Sequence, residues 1–116
     1  MDSESWRSVL VAGLGLNAAV GFGYRIYRLS KGGPIADVWG QAVLGVVLAA
    51  LAVGVGFGLD WARWPALGYA ILFAVVAMPV WVLAVLIPLP PRAPDYAFTA
   101  LYWATLLAIG VAAIAL

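Results

Sequence analysis

Read from its first residue, the chain alternates long apolar stretches with short polar interruptions. Four apolar runs stand out, at about residues 8–24, 38–59, 66–87 and 97–116. A helix needs about 20 apolar residues to cross the hydrocarbon core of a bilayer. Three runs meet that length, and the first is slightly short, a deficit that snorkelling of Arg7 and Arg25 corrects. An open sheet would leave backbone groups unpaired in lipid, and a barrel of four strands is too small to close. The pattern therefore predicts an all-α integral membrane protein. Its four transmembrane helices form a compact bundle of two helical hairpins, and residues 1–116 make a single domain.

Composition narrows the solvent to lipid. Hydrophobic residues make up 66% of the 116 and charged residues 9%, with a mean hydropathy of +1.08. A soluble domain carries about 25% charged residues, so these charges are too few to coat a water-facing surface. The leader MDSES is acidic where a cleaved signal has a basic start, and the first span is expected to stay in the mature chain.

The charges also predict an orientation. With four spans, the side holding both termini and the second loop carries Arg7 and Arg63, and the other side carries Arg25, Arg28, Lys31 and Arg92. By the positive-inside rule, loops 1 and 3 are cytoplasmic and the termini lie outside a cell membrane. Asp37 and Asp95 stand where a span opens, suited to cap free N–H groups, with Pro34 and Pro94 expected just before them in the loops. PLPPRAP, residues 88–94, is expected to be a stiff non-helical hairpin. The opposite loop, LDWARWP, pairs Asp60 with Arg63 and sets Trp61 and Trp64 at headgroup level.

Small residues at helical spacing mark packing faces, because helices in lipid associate through close van der Waals contact. The second span has Ala42, Gly45, Ala49, Ala52 and Gly56 at steps of 3, 4, 3 and 4, the predicted helix-packing seam. In the first span Gly13, Asn17 and Gly21 share one face, and Gly15, Ala19 and Gly23 lie roughly opposite. Ala70, Ala77 and Ala84, and Ala104, Ala108 and Ala112, offer similar faces on the third and fourth spans.

The polar inventory excludes more than it proposes. The chain has no histidine and no cysteine, and its only methionine besides Met1 is Met78. Ligands for haem, iron–sulfur clusters, zinc or copper are essentially missing, as are cysteine nucleophiles and histidine bases. No cofactor and no enzymatic activity is expected. The glycine-dense GVGFG, residues 54–58, lacks the Lys-Ser/Thr of a phosphate loop and reads as packing. In size and span count the chain resembles the small multidrug transporters, but the acidic residue those carriers need in their first helix has no counterpart here.

Three groups of residues remain as candidates. Arg25, Arg28 and Lys31, with Arg92 on the other loop of that side, are suited to contact anionic lipid headgroups. Trp81 and Trp103 each lie seven residues from a helix end, about 10 Å below the surface. With Thr99 and Tyr102 they would line an inner-half apolar ligand pocket for a lipid, isoprenoid or quinone. Asn17, near mid-bilayer, would seek an interhelical polar contact. The function expected from this inventory is a non-catalytic accessory or assembly subunit of a larger membrane complex, working through other membrane chains or self-association. The alternative is a small homo-oligomeric transporter or channel. Membrane lipids are expected partners and nucleic acid is not.

Overall fold

The computed structural model describes residues 2–87 and 92–116, apart from the side chains of Ser3, Asp60 and Val85. Helix α1 runs Ser3–Ser30 and α2 runs Ile35–Gly56. A 3-10 turn, Asp60–Ala62, leads into a third span made of α3 (Arg63–Leu72), a π-helical stretch Phe73–Ala77, α4 (Met78–Trp81) and a second π stretch Val82–Leu86. Helix α5 runs Ala93–Ala115. The described residues thus hold four helical spans, each long and apolar enough to cross a membrane. Their bundle measures 43 × 22 × 20 Å, and its long axis matches a bilayer with its headgroup layers, about 40–45 Å.

The helix ends follow local capping chemistry. Helix α1 continues past Tyr24, so Arg25 and Arg28 are helical residues one turn and two turns beyond Gly21. Its start is capped by Asp2, which accepts the Ser5 N–H at 2.9 Å; that bond holds the exposed Asp2 carboxyl below the ordinary carboxylate range. Asp95 does close a cap, accepting the Arg92 N–H at 2.9 Å. Asp37 does not, because the residue that caps α2 is Pro34, which has no side-chain oxygen to offer. Pro94 lies inside the first turn of α5 rather than before it, a position where its missing N–H costs nothing. Residues 88–91 of the expected hairpin, and the Asp60 side chain expected to pair with Arg63, lie outside what is described. Arg63 sets its guanidinium 4.5 Å from the Trp64 ring centroid.

The third span is irregular for a local reason. Pro79 has no N–H to donate to the carbonyl four residues back, and a widened π turn, Phe73–Ala77, sits just before its helix segment.

Helix α1 is central, packed against α2 on one flank and α5 on the other, while the third span leans on α5. The interior has three zones along the bundle axis. Toward the termini an aliphatic core joins Leu10, Leu14, Leu48, Val55, Ala66 and Ile109. Toward loops 1 and 3 an aromatic core joins Tyr24, Met78, Phe98 and Tyr102, with Trp81 and Trp103 packed against it. Between them lies a layer of polar side chains. Gly13, Asn17 and Gly21 are buried on one face of α1, as their spacing predicts, and Gly15, Ala19 and Gly23 are exposed on the other.

The predicted seam of α2 faces elsewhere than expected. The buried residues of α2 are Gln41, Leu48 and Val55, at steps of seven, flanked by partly buried Leu44 and Leu51. Ala49 and Gly56 are exposed, and a Cβ added at Gly45 would meet no atom within 4 Å. Small residues permit close approach without compelling it. Of the α2 seam only Ala52 packs against the core, whereas Ala70 and Ala112 of the faces predicted on the third and fourth spans are buried. Ala104 of α5 is exposed, and Ala84 of the third span with it.

Candidate functional sites in the two halves of the bundle

The polar layer begins at Asn17, wholly buried on α1. Its Nδ2 donates to Thr105 Oγ1 at 2.8 Å, and its Oδ1 accepts from the Tyr69 hydroxyl. Tyr69 and Tyr102 join hydroxyls at 2.7 Å, and Thr105 donates to the Tyr102 carbonyl at 2.7 Å. One residue of α1 is thereby tied to the third span and to α5. The amide expected to make an interhelical contact makes two. The hydrogen bonds among Asn17, Tyr69, Tyr102 and Thr105 make this group a structural tie, since buried polar groups in lipid are costly when left alone.

Gln41 belongs to the same depth and was not singled out by sequence. Its side chain is 93% buried, and its Nε2 has no hydrogen-bond partner among the described residues. The amide rests on the bare backbone of Gly21, where a Cβ would come within 2.4 Å of Nε2. The signal available in sequence was an amide inside an otherwise apolar run, the same signal that picked out Asn17.

Past this layer the aromatic half opens a cleft of about 320 Å³, lined by Arg25, Gln41, Phe73, Met78, Trp81, Phe98 and Tyr102 among others. Trp81 donates its Nε1–H to Thr99 Oγ1 at 3.2 Å, and Thr99 in turn donates to the Asp95 carbonyl at 2.8 Å. Arg25 lays its guanidinium 5.1 Å from the Trp81 centroid and 5.8 Å from that of Phe98, a cation–π arrangement. The predicted pocket residues Trp81 and Tyr102 do line the cleft, and Thr99 stands behind Trp81 as its hydrogen-bond acceptor. Trp103 does not line it. Matching depth along two helices says nothing of azimuth, and Trp103, one residue past Tyr102, points about 100° away around α5.

The basic residues divide between two places. Arg28, Lys31 and Arg92 line a second cavity of about 470 Å³ at the loop end, with Tyr27 and Asp95. Here Tyr24 donates its hydroxyl proton to Asp95 Oδ1, and Arg28 donates to the Tyr24 oxygen at 3.3 Å, which links α1 to the start of α5. Gly32, with φ of +91°, turns the chain back beneath Arg28. Arg25, expected with this group but one turn nearer mid-bilayer, lines the aromatic cleft, and Arg28 reaches both places, its guanidinium 5.3 Å from the Trp81 centroid and 5.9 Å from that of Tyr24. Three cations against one carboxylate can hold an anionic headgroup. Among the described residues no three side chains of His, Cys, Asp or Glu come together to hold a metal ion.

A third hollow, about 370 Å³, runs along the outside of α1 and α2, between Ala18, Ala19 and Phe22 of one and Ala42, Gly45 and Ala49 of the other. Of the two stripes read separately from sequence, Ala19 of the outer α1 face and Ala42, Gly45 and Ala49 of the α2 seam meet along this groove. Compared with known proteins, the chain matches no family model, no curated protein and no solved structure.

Proposed function

We propose that this chain is a non-catalytic subunit of a membrane complex, acting by association with an apolar helix of another membrane chain. The observation that carries the reading is the open groove between α1 and α2, where Ala19, Ala42, Gly45 and Ala49 leave backbone accessible to a close neighbour. Lipid tails gain little from such a stripe, whereas a second helix gains dispersion contact along its length. The membrane in question is the cell membrane, with loops 1 and 3 on the cytoplasmic side, on the strength of four basic residues there against two on the other side.

The chain has no cysteine, so single-cysteine cross-linking in native membranes is a clean test. Gly45→Cys and Ala42→Cys should form a cross-linked product of defined mass, and Val47→Cys, exposed on the opposite face of α2, should not. Equal yields from the two faces would reject the groove as the interface.

A further inference from the structure

Beyond association, we propose that the cleft beside Trp81 binds a single-chain amphiphile with an anionic oxygen head, a carboxylate or a phosphate. Two groups in its wall lack what such a head supplies. Gln41 is 93% buried and its Nε2 makes no hydrogen bond of good geometry among the described residues, although the Tyr102 hydroxyl, already joined to Tyr69, stands close to it. Arg25 makes contact with ring faces, and among the described residues no carboxylate stands within ion-pair distance of it. Burying a donor in this way is costly unless something accepts from it. A guanidinium held at aromatic faces at the loop end of a span, with no carboxylate of the described residues beside it, is suited to receive an anion.

The two groups are set in register by α1. Gln41 rests on Gly21, and Arg25 is four residues farther toward the loop, about 6 Å along the helix. A head seated at Arg25 can therefore reach back with an oxygen toward the amide. Below it Phe73, Met78 and Ala77 offer an apolar wall for a chain. The cleft, about 320 Å³, is at the small end of ligand sites (roughly 300–1,000 Å³), which suits one chain and not the two of a bilayer phospholipid. Arg28, Lys31 and Arg92 stand in the adjoining cavity and add positive potential along the approach from the loop side.

The test is equilibrium binding of radiolabelled dodecanoate to the purified chain in nanodiscs of neutral phosphatidylcholine, with empty nanodiscs subtracted. Competition uses dodecanoate, dodecyl phosphate and dodecanol, which share a tail and differ in head. We expect saturable binding near one per chain, with both anions competing at concentrations about tenfold or more below the alcohol. Tighter competition by the phosphate assigns the site to phosphate-headed lipids, and tighter competition by the carboxylate assigns it to fatty acids. Arg25→Gln should weaken dodecanoate about tenfold or more, and Gln41→Leu, of similar volume without the donor, about fivefold to tenfold. Arg63→Gln, at the opposite end of the bundle, should leave it unchanged. Dodecanol competing as well as dodecanoate would overturn the proposal on the unaltered chain, with no variant required to fold. So would equal affinities for Arg25→Gln and Arg63→Gln.

Discussion

The side-chain amide of Gln41 rests directly on the backbone of Gly21, and a single added methyl group there would come within 2.4 Å of Nε2. The Tyr102 ring closes on the same position, at 3.1 Å, so the Gln41 amide and an aromatic ring both cover Gly21 at the level of the polar layer. We predict that Gly21→Ala lowers stability by about 1–3 kcal/mol through overpacking. Gly23→Ala, where a Cβ meets nothing within 4 Å, should instead be neutral or raise stability by about 0.5–1 kcal/mol through helix propensity. Thermal melts in one detergent compare them, and the reverse ranking would mean that the two helices are not in this register.

The Asn17 layer should behave as a coupled unit. Asn17→Ala and Tyr69→Phe are each expected to cost about 0.6–2 kcal/mol. Because both remove the same Tyr69–Asn17 hydrogen bond, the double variant should cost less than the sum, by roughly 0.5 kcal/mol or more. Strict additivity in a double-mutant cycle would show that the hydrogen bond contributes nothing.

Orientation is tested by terminal reporter fusions. The basic bias of loops 1 and 3 predicts that reporters active only outside the cytoplasm respond at both ends. Changing Arg25 and Arg28 together to Lys should preserve that result, and changing both to Gln should mix the two orientations. Reporters that respond only in the cytoplasm would invert the assignment.

Much of this architecture was legible in sequence, for a physical reason. In lipid the length of an apolar run dictates a span, and Asn17 was conspicuous because an amide at mid-bilayer must find partners. Its own face, Gly13 to Gly21, followed from helical spacing. What spacing cannot tell is which way a face points once the helix is placed. The α2 stripe is small and regular, yet Ala49 and Gly56 are exposed while Ala52 touches the core, and Gln41 lies inside on a neighbouring face. Helix ends were also obscure, since α1 runs six residues past Tyr24 through arginines that an apolar run does not include. That extension is what brings Arg25 and Arg28 together onto the Trp81 ring and lets Arg25 line the aromatic cleft. Tyr69 escaped notice because a hydroxyl among apolar residues reveals its role only when the third span is set beside α1.

The groove as an interface makes a further prediction. Gly45→Leu should leave the melting temperature of the isolated chain within the equivalent of about 0.5 kcal/mol, because a side chain there enters open space. It should nonetheless abolish assembly, because the added bulk holds a partner helix away. Destabilisation of the isolated chain as large as that of Gly21→Ala would place the seam inside the bundle.

The central claim is that this chain works in company. Native mass spectrometry of the protein, gently extracted from its own membrane, tests that most directly. The groove predicts a species heavier than the 12.2 kDa of one chain, containing at least one further membrane chain, and its loss in Gly45→Leu. A wild-type preparation consisting of 12.2 kDa monomers alone would contradict it.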